Sequence, residues 1–184
     1  MTRTLVFLIA AMALFAPTAV RSARGPGTLD DLKNLEIICF VPGWLPKDLK
    51  VTRVQVSYDE PGPDEGGGRY HLYNIDYGNG AGRTFSIDSA REGIGDRNLV
   101  ETEDSEDAEI PSPLGQVFIV YTPKGKEGRK KEIRSNWASD TNMIAEKAKD
   151  PQAHPTLGRY HGFTGTNMTL TEFERIIQSL RPVY

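Results

Sequence analysis

Strand-length segments separated by turn residues run through most of this chain, and they constrain its fold more than any other feature. In residues 50–58, Val54 and Val56 lie on one face and Arg53 and Gln55 on the other. This alternation is typical of a strand that is buried on one side only. Further strands are predicted at 69–77, 83–88, 117–121, 129–137 and 159–165.

The turns and the apolar content of single segments refine this prediction. Residues 78–82 (Gly-Asn-Gly-Ala-Gly) separate two strand-like segments, and Asn-Gly in that position predicts a hairpin. The three glycines do not indicate a phosphate loop, because a strand and not a helix follows them. Residues 117–121 are continuously apolar, which predicts a strand buried on both faces. The predicted core residues are Val54, Val56, Phe118, Ile119, Ile133 and Trp137.

An amphipathic helix is predicted at 170–180, near the end of the chain. Thr169 and Glu172 have the spacing of a capping box, and Pro182 is expected to end the helix. Its apolar residues fall on one face at helical spacing: Leu170, Phe173, Ile176, Ile177 and Leu180. A stripe this regular must be covered, since so short a helix depends on packing. The predicted fold class is therefore α+β: a single domain of mainly antiparallel β-sheet packed against a C-terminal α-helix.

The first 22 residues have the pattern of a secretory signal peptide. Arg3 precedes an apolar stretch at 5–15, and small residues precede a cut expected after Ser22, with Ala23 as the next choice. An uncleaved membrane anchor is the alternative, but the uncharged stretch between Arg3 and Arg21 is shorter than a membrane span and Pro17 interrupts it. The expected location is extracytoplasmic, either secreted or periplasmic, with no stable membrane anchor after cleavage.

Charge and segment composition divide the rest of the chain. Cleavage after residue 22 removes two of the 22 Lys and Arg residues and leaves 20 against 25 acidic ones, a net charge of −5. This acidic balance argues against nucleic acid as a partner.

Residues 23–35 form a lead-in with a helical turn at 29–35, and residues 36–184 form the sheet-and-helix domain. The acidic stretch 101–109 is expected to be a loop or an exposed edge.

Several motifs together resemble a known family. Residues 42–50 (Pro-Gly-Trp-Leu-Pro-Lys-Asp-Leu-Lys), Trp137 and the closing segment 169–180 are similar to a bacterial extracytoplasmic domain of unknown function. That domain is found at the C-terminal ends of anti-sigma-factor-like and sporulation lipoprotein-carrier-like proteins. Asp48 departs from its motif, and residues 138–157, including a short helix predicted at 140–149, look inserted. The resemblance implies an α+β domain and supplies no catalytic residues.

Candidate reactive residues are few, and no catalytic, cofactor-binding or metal-binding residue is predicted. Cys39 is the only cysteine and lies in an apolar run, so a buried, inert thiol is favoured over a reactive or dimer-forming one. His71 and His161, with His154, could contribute to a metal site, but their spacing matches no zinc motif. Asn167 begins a glycosylation sequon, and its Thr169 more simply caps the final helix.

Two further charged segments allow a binding role or a solvated one. The acidic run 101–109 lacks the spacing of a calcium loop. The basic run 124–134 is interrupted by Glu127 and Glu132, and the acidic run could balance its charge. For both segments, a solvated loop or strand edge is the favoured interpretation.

Three functions remain open after these observations. The leading hypothesis is an exported, non-enzymatic interaction or sensory-type domain with an unknown protein partner. The first alternative is a carrier that holds an apolar or lipid ligand between the sheet and the final helix, which needs an unfilled cavity. The second alternative is a small hydrolase or metal-binding protein, which needs at least one histidine near another histidine or a carboxylate.

Overall fold

The computed structural model describes residues 27–59, 70–91, 97, 104–122, 124–141, 143 and 159–183. The predicted signal peptide 1–22, the start of the acidic run and His154 lie outside these residues. Of the helix predicted at 140–149, only residues 140, 141 and 143 are described, and Thr141 and Met143 are helical. Within the described part of the chain, no helix is long and apolar enough to cross a membrane.

One antiparallel sheet forms the main layer, which confirms the predicted fold class. Its strands are β2 (Lys50–Asp59), β3 (Tyr70–Gly78), β4 (Thr84–Ala90), β5 (Glu106–Ser112), β6 (Gly115–Tyr121), β7 (Lys130–Ser135), β8 (Ala138–Ser139) and β9 (Tyr160–Met168). They pair in the order β2-β3-β4-β9-β7-β6-β5, and β8 pairs with β9 beyond the end of β7. The acidic strand β5 is an edge of the sheet, as predicted for residues 106–109.

The predicted hairpin joins β3 to β4. The Asn79 side-chain oxygen accepts hydrogen bonds from the backbone N–H of Ala81 (2.8 Å) and Arg83 (3.2 Å). Gly80 and Gly82 have φ angles of 73° and 82°, in the left-handed region that glycine enters without steric cost. Asn-Gly and the flanking glycines therefore close this turn and do not hold a phosphate.

A small two-stranded ribbon lies apart from the main sheet and corrects the predicted end of the chain. Its strands are β1 (Cys39–Pro42) and β10 (Leu180–Val183), and a 3-10 helix at Leu29–Asn34 precedes them. The final helix, α1 (Leu170–Gln178), therefore ends before Leu180, and Pro182 belongs to a strand. Phe40 pairs with Pro182, and the Phe40 N–H is bonded elsewhere. The missing N–H of the proline consequently breaks no ladder bond.

Helix α1 covers the sheet through its apolar face, as predicted. Thr169 accepts a hydrogen bond from the Glu172 amide (3.1 Å), and the Glu172 carboxylate accepts one from the Thr169 amide (3.0 Å). The fully buried residues of the helix are Phe173, Ile176 and Ile177. This face belongs to the same hydrophobic core as the inward side chains of the sheet.

The predicted core is confirmed for three of its six residues and is wrong in detail for the others. Val54, Ile119 and Ile133 are buried, whereas Val56 is partly buried against the core. Phe118 is partly exposed because it points to the opposite face from its neighbours Val117 and Ile119. Trp137 is also partly exposed, because β7 ends at Ser135 and the alternation does not continue to it.

Candidate functional site

The fold brings three polar side chains together in its interior: Tyr73 from β3, His161 from β9 and Asp140, which directly follows β8. We call them the buried triad. Asp140 and His161 have no exposed surface, and Tyr73 is 2% exposed. Asp140 is placed by backbone bonds to Arg159, just before β9, since its N–H donates to the Arg159 carbonyl (3.1 Å). Strand pairing thus collects residues that are far apart in the sequence.

Hydrogen bonds connect the buried triad in a line. His161 Nε2 lies 3.1 Å from Asp140 Oδ2, and His161 Nδ1 lies 3.1 Å from the Tyr73 hydroxyl. The Tyr73 oxygen accepts the backbone N–H of Phe40 (2.9 Å), and Asp140 Oδ1 accepts that of Arg159 (2.8 Å). These contacts join β1 and the segment after β8 to the centre of the sheet.

Burial controls the protonation of the triad and of the nearby thiol. Desolvation lowers the pKa of His161 and outweighs the opposing effect of Asp140. Desolvation also raises the pKa of Tyr73 well above its usual value, and raises the pKa of the Cys39 thiol to about 12 with a contribution from Asp140. All three groups are therefore held in their neutral forms near pH 7.

A carboxylate, an imidazole and a hydroxyl in line have the order of a nucleophilic catalytic triad. A working site of that kind also needs access for a substrate, and all three side chains are buried. The hydroxyl of Tyr73 is already bonded on both sides, to His161 and to the Phe40 N–H. The arrangement therefore satisfies buried polar groups and fixes neighbouring strands.

The two described histidines, His71 and His161, lie in different surroundings. His161 lies in the buried triad beside a carboxylate, whereas the ring of His71 packs against that of Tyr58 with centroids 4.9 Å apart. Among the described residues, no group of three or more His, Cys, Asp or Glu side chains is arranged to hold a metal ion. Cys39 is buried, as expected.

The Pro-Gly-Trp-Leu-Pro motif that carries the family resemblance contacts the end of helix α1. The Gly43 N–H donates to the Ser179 carbonyl (2.7 Å), and the Trp44 N–H donates to the Ser179 hydroxyl (3.0 Å). A Cβ on Gly43 would lie 2.7 Å from the Ser179 carbonyl oxygen, so only glycine fits there. The Arg175 guanidinium lies 4.1 Å from the centre of the Trp44 ring. The first and last segments of the resemblance, 42–50 and 169–180, are thus in direct contact.

The charged segments balance each other where the structure describes them. Lys130 is buried, lies 3.7 Å from the Glu106 carboxylate and sits 4.4 Å from the centre of the Tyr121 ring. Arg134 pairs with Glu132. These contacts support the interpretation of the basic run as a strand and turn that the neighbouring acidic strand neutralises.

The space between sheet and helix, where an apolar ligand would sit, is filled by side chains. A Cβ on Gly165 would lie 2.7 Å from both the Phe173 ring and the Met168 sulfur. The Phe85 ring packs on the edge of Phe173 with centroids 5.8 Å apart. A groove of about 310 Å³ lies elsewhere, between the 3-10 helix and β10, and Arg181 and Lys33 stand among its apolar lining residues.

The face of the sheet opposite the core, which we call the outer face, is mainly polar on strands β3, β4, β7 and β9. Cross-strand pairs such as Asp76–Ser86 and Ser86–Thr164 lie on it, and their side chains are partly exposed. The other partly exposed polar residues on this face are Asn74, Asp88, Glu132, Arg134 and Thr166. This division into an apolar and a polar face is common in antiparallel sheets.

Arg97 lies across the outer face at one point. Its guanidinium pairs with Asp88 (2.5 Å), donates to the Phe163 carbonyl (3.0 Å) and lies 4.9 Å from the centre of the Trp137 ring. Gly162 leaves room for this side chain, because a Cβ there would overlap it. An arginine and a tryptophan thus stand together on the outer face.

Sequence reasoning missed Tyr73, Asp140 and Arg97 as members of any site. No spacing connects the buried triad along the chain, so only the strand pairing brings it together. The Arg-Tyr-His sequence at 69–71 and 159–161 was the one available signal. The described parts of the two copies lie close, since Arg159 Nε donates to the His71 carbonyl (3.1 Å).

Comparison with known proteins adds a distant likeness. No protein family and no curated protein matches the chain. The MucA/MucB complex of Pseudomonas aeruginosa resembles it with 14% identity and a TM-score of 0.34, over 80% of this chain and 36% of that one. A crystal structure of MucB in complex with MucA(peri) gives 18% identity and a TM-score of 0.33, over 79% and 36%. This chain therefore spans little more than a third of those proteins, and TM-scores this low support no conclusion about function.

Proposed function

We propose that this chain is an exported, non-enzymatic domain that binds a protein partner through the outer face of its sheet. The complete burial of the buried triad carries the proposal. The buried triad has the order of a nucleophilic catalytic arrangement, but its side chains are at most 2% exposed and offer almost no surface to a substrate. The signal-peptide pattern of residues 1–22 supports export.

The filled interior favours a surface function. A carrier needs an empty apolar cavity, but Phe173 and Met168 already touch the backbone at Gly165. Cys39 and His161, the two groups considered as reactive, are both buried. Strands β3, β4, β7 and β9 share the outer face, and its side chains there are mainly polar and partly exposed.

The composition of the outer face suits contact with another protein. Arg and Trp are enriched in protein interfaces, and Arg97 and Trp137 stand together there. The cluster is already ordered, because Asp88 and the Phe163 carbonyl fix the guanidinium. A fixed side chain loses little conformational entropy on binding.

Photo-crosslinking in the source organism tests this proposal. A photoreactive residue at Thr164, on the outer face, should form an adduct with one protein identified by mass spectrometry. The matched control carries the same residue at Gln178, which is exposed on α1. We expect an adduct from position 164 that is absent from 178 and is lost when Trp137→Ala is added. Equal labelling from both positions, or no adduct from position 164, would contradict the proposal.

A further inference from the structure

The donor and acceptor roles in the buried triad depend on the charge of His161. An Asp140 carboxylate can only accept, so His161 Nε2 must carry the proton of that 3.1 Å contact. In neutral imidazole the other nitrogen then has no proton and accepts from Tyr73. The Tyr73 oxygen in turn accepts the N–H of Phe40. With His161 neutral, every donor in the line therefore has an acceptor.

A second proton on His161 disrupts this order. His161 Nδ1 becomes a donor, and the Tyr73 oxygen then receives two donors, one from His161 and one from Phe40. The hydroxyl proton of Tyr73 loses its acceptor in the fully buried interior. A buried donor without an acceptor is strongly unfavourable, so the charged form of His161 does not fit the closed structure.

The groups around His161 shift its pKa in opposite directions. Asp140, which follows β8, favours a charged imidazole, whereas Arg159, which precedes β9, opposes it. Tyr73 on β3 and Cys39 on β1 are both held neutral by burial. From β4, the residue paired with His161 is the uncharged Ser89. Desolvation is the largest effect and lowers the pKa of His161.

We propose that the buried triad is a pH-sensitive latch: neutral His161 holds β1 and the segment at 138–141 on the sheet, and its protonation releases them. Phe40 connects β1 to the triad through two contacts. Its N–H donates to the Tyr73 hydroxyl, and its ring centroid lies 4.8 Å from that of His161. Asp140 carries the contact to the segment after β8. The latch does not depend on the partner proposed above.

The sign of the effect follows from proton binding. An unfolded or released histidine has a pKa of about 6.5, and the closed state keeps His161 neutral below that pH. The released state then binds more protons, so acidification favours release. One proton raises the release equilibrium by up to tenfold per pH unit. Between pH 6.5 and 5 the rise is about 15-fold, because half of the released histidines are already charged at pH 6.5.

Hydrogen exchange of single amides in the full chain tests the latch. The Phe40 and Arg159 amides donate to Tyr73 and Asp140, so both report release directly. After correction for intrinsic rates, their opening constants should rise about 10- to 30-fold from pH 7 to pH 5. The control is the Thr122 amide, which donates to the Glu132 carbonyl away from the triad. Its opening constant should change less than about twofold, because a release confined to β1 and 138–141 leaves that pair closed.

A variant separates the latch from general acid sensitivity. His161→Gln keeps one acceptor and one donor but cannot titrate, so its Phe40 and Arg159 amides should lose the pH dependence. A wild-type profile that is the same for Phe40 and Thr122, or a pH dependence that persists in the variant, would overturn the proposal. If the variant does not fold, NMR titration of wild-type His161 decides. A native resonance that titrates near pH 6.5 without loss of Phe40 protection refutes the latch, and one that stays neutral to pH 5 supports it.

Discussion

Phe173→Ala should destabilise the domain strongly, because its ring fills the contact between helix α1 and the sheet. Phe173 has no exposed surface. The backbone at Gly165 contacts it, and the Phe85 ring packs against it in a T-shaped arrangement. Truncation of a buried Phe typically costs about 3–5 kcal/mol, and a rigid pocket favours the upper half of that range. A domain of this size has about 5–15 kcal/mol in total.

Thermal unfolding followed by circular dichroism measures this loss. At about 2–4 °C per kcal/mol, the melting temperature should fall by roughly 6–20 °C. The matched control is Gln178→Ala on the exposed side of the same helix, which should shift stability by less than about 0.5 kcal/mol. Equal, small shifts for both variants would refute the docking of α1, and its apolar face would then be available for a partner.

Three further predictions concern capping, ion pairing and the thiol. Thr169→Ala removes the acceptor for the Glu172 amide and should cost about 1 kcal/mol in urea denaturation. Desolvation raises the pKa values of Asp48 and Glu172, but hydrogen bonds, including those to Arg83, lower both overall. Their stabilising effect is present above the unfolded pKa of about 4 and is lost as pH falls through the folded values. The urea concentration at which half of the protein is unfolded should therefore fall as the pH is lowered below about 4. Arg83→Met should reduce that fall. Cys39, with its pKa raised to about 12 by burial, should resist alkylation at pH 8 until the chain is unfolded, and rapid native alkylation would contradict its burial.

The local patterns of the sequence predict the elements of this fold better than their arrangement. The alternation of residues 50–58, the Asn79-Gly80 turn and the capping box at Thr169 each rest on neighbouring residues, and each is confirmed. Strand β10 was missed because Pro182 resembles a helix stop and its partner β1 comes from the other end of the described chain. Long-range pairing of this kind leaves no local signal.

The same distinction explains why the candidate site could not be predicted. His161 was recognised as a possible ligand, but its partners Asp140 and Tyr73 follow no motif spacing. Trp137 was assigned to the core from the alternation of 129–137. Because β7 ends at Ser135, the alternation does not reach Trp137, and its ring lies beside Arg97 instead. Alternation with a period of two residues assigns a side chain to one face of the sheet only while the strand continues.

Chemical modification of the native protein tests the central claim, that the buried triad is internal and does no chemistry on a substrate. Diethyl pyrocarbonate modifies accessible, neutral imidazoles, and mass spectrometry reports each histidine separately. His71 is partly exposed and provides the internal reference, whereas His161 has no exposed surface. At pH 7.5 we expect His71 to be modified and His161 to stay unmodified until urea unfolds the domain. Modification of native His161 at a rate comparable with that of His71 would contradict the account, because reagent and substrate could then reach the triad.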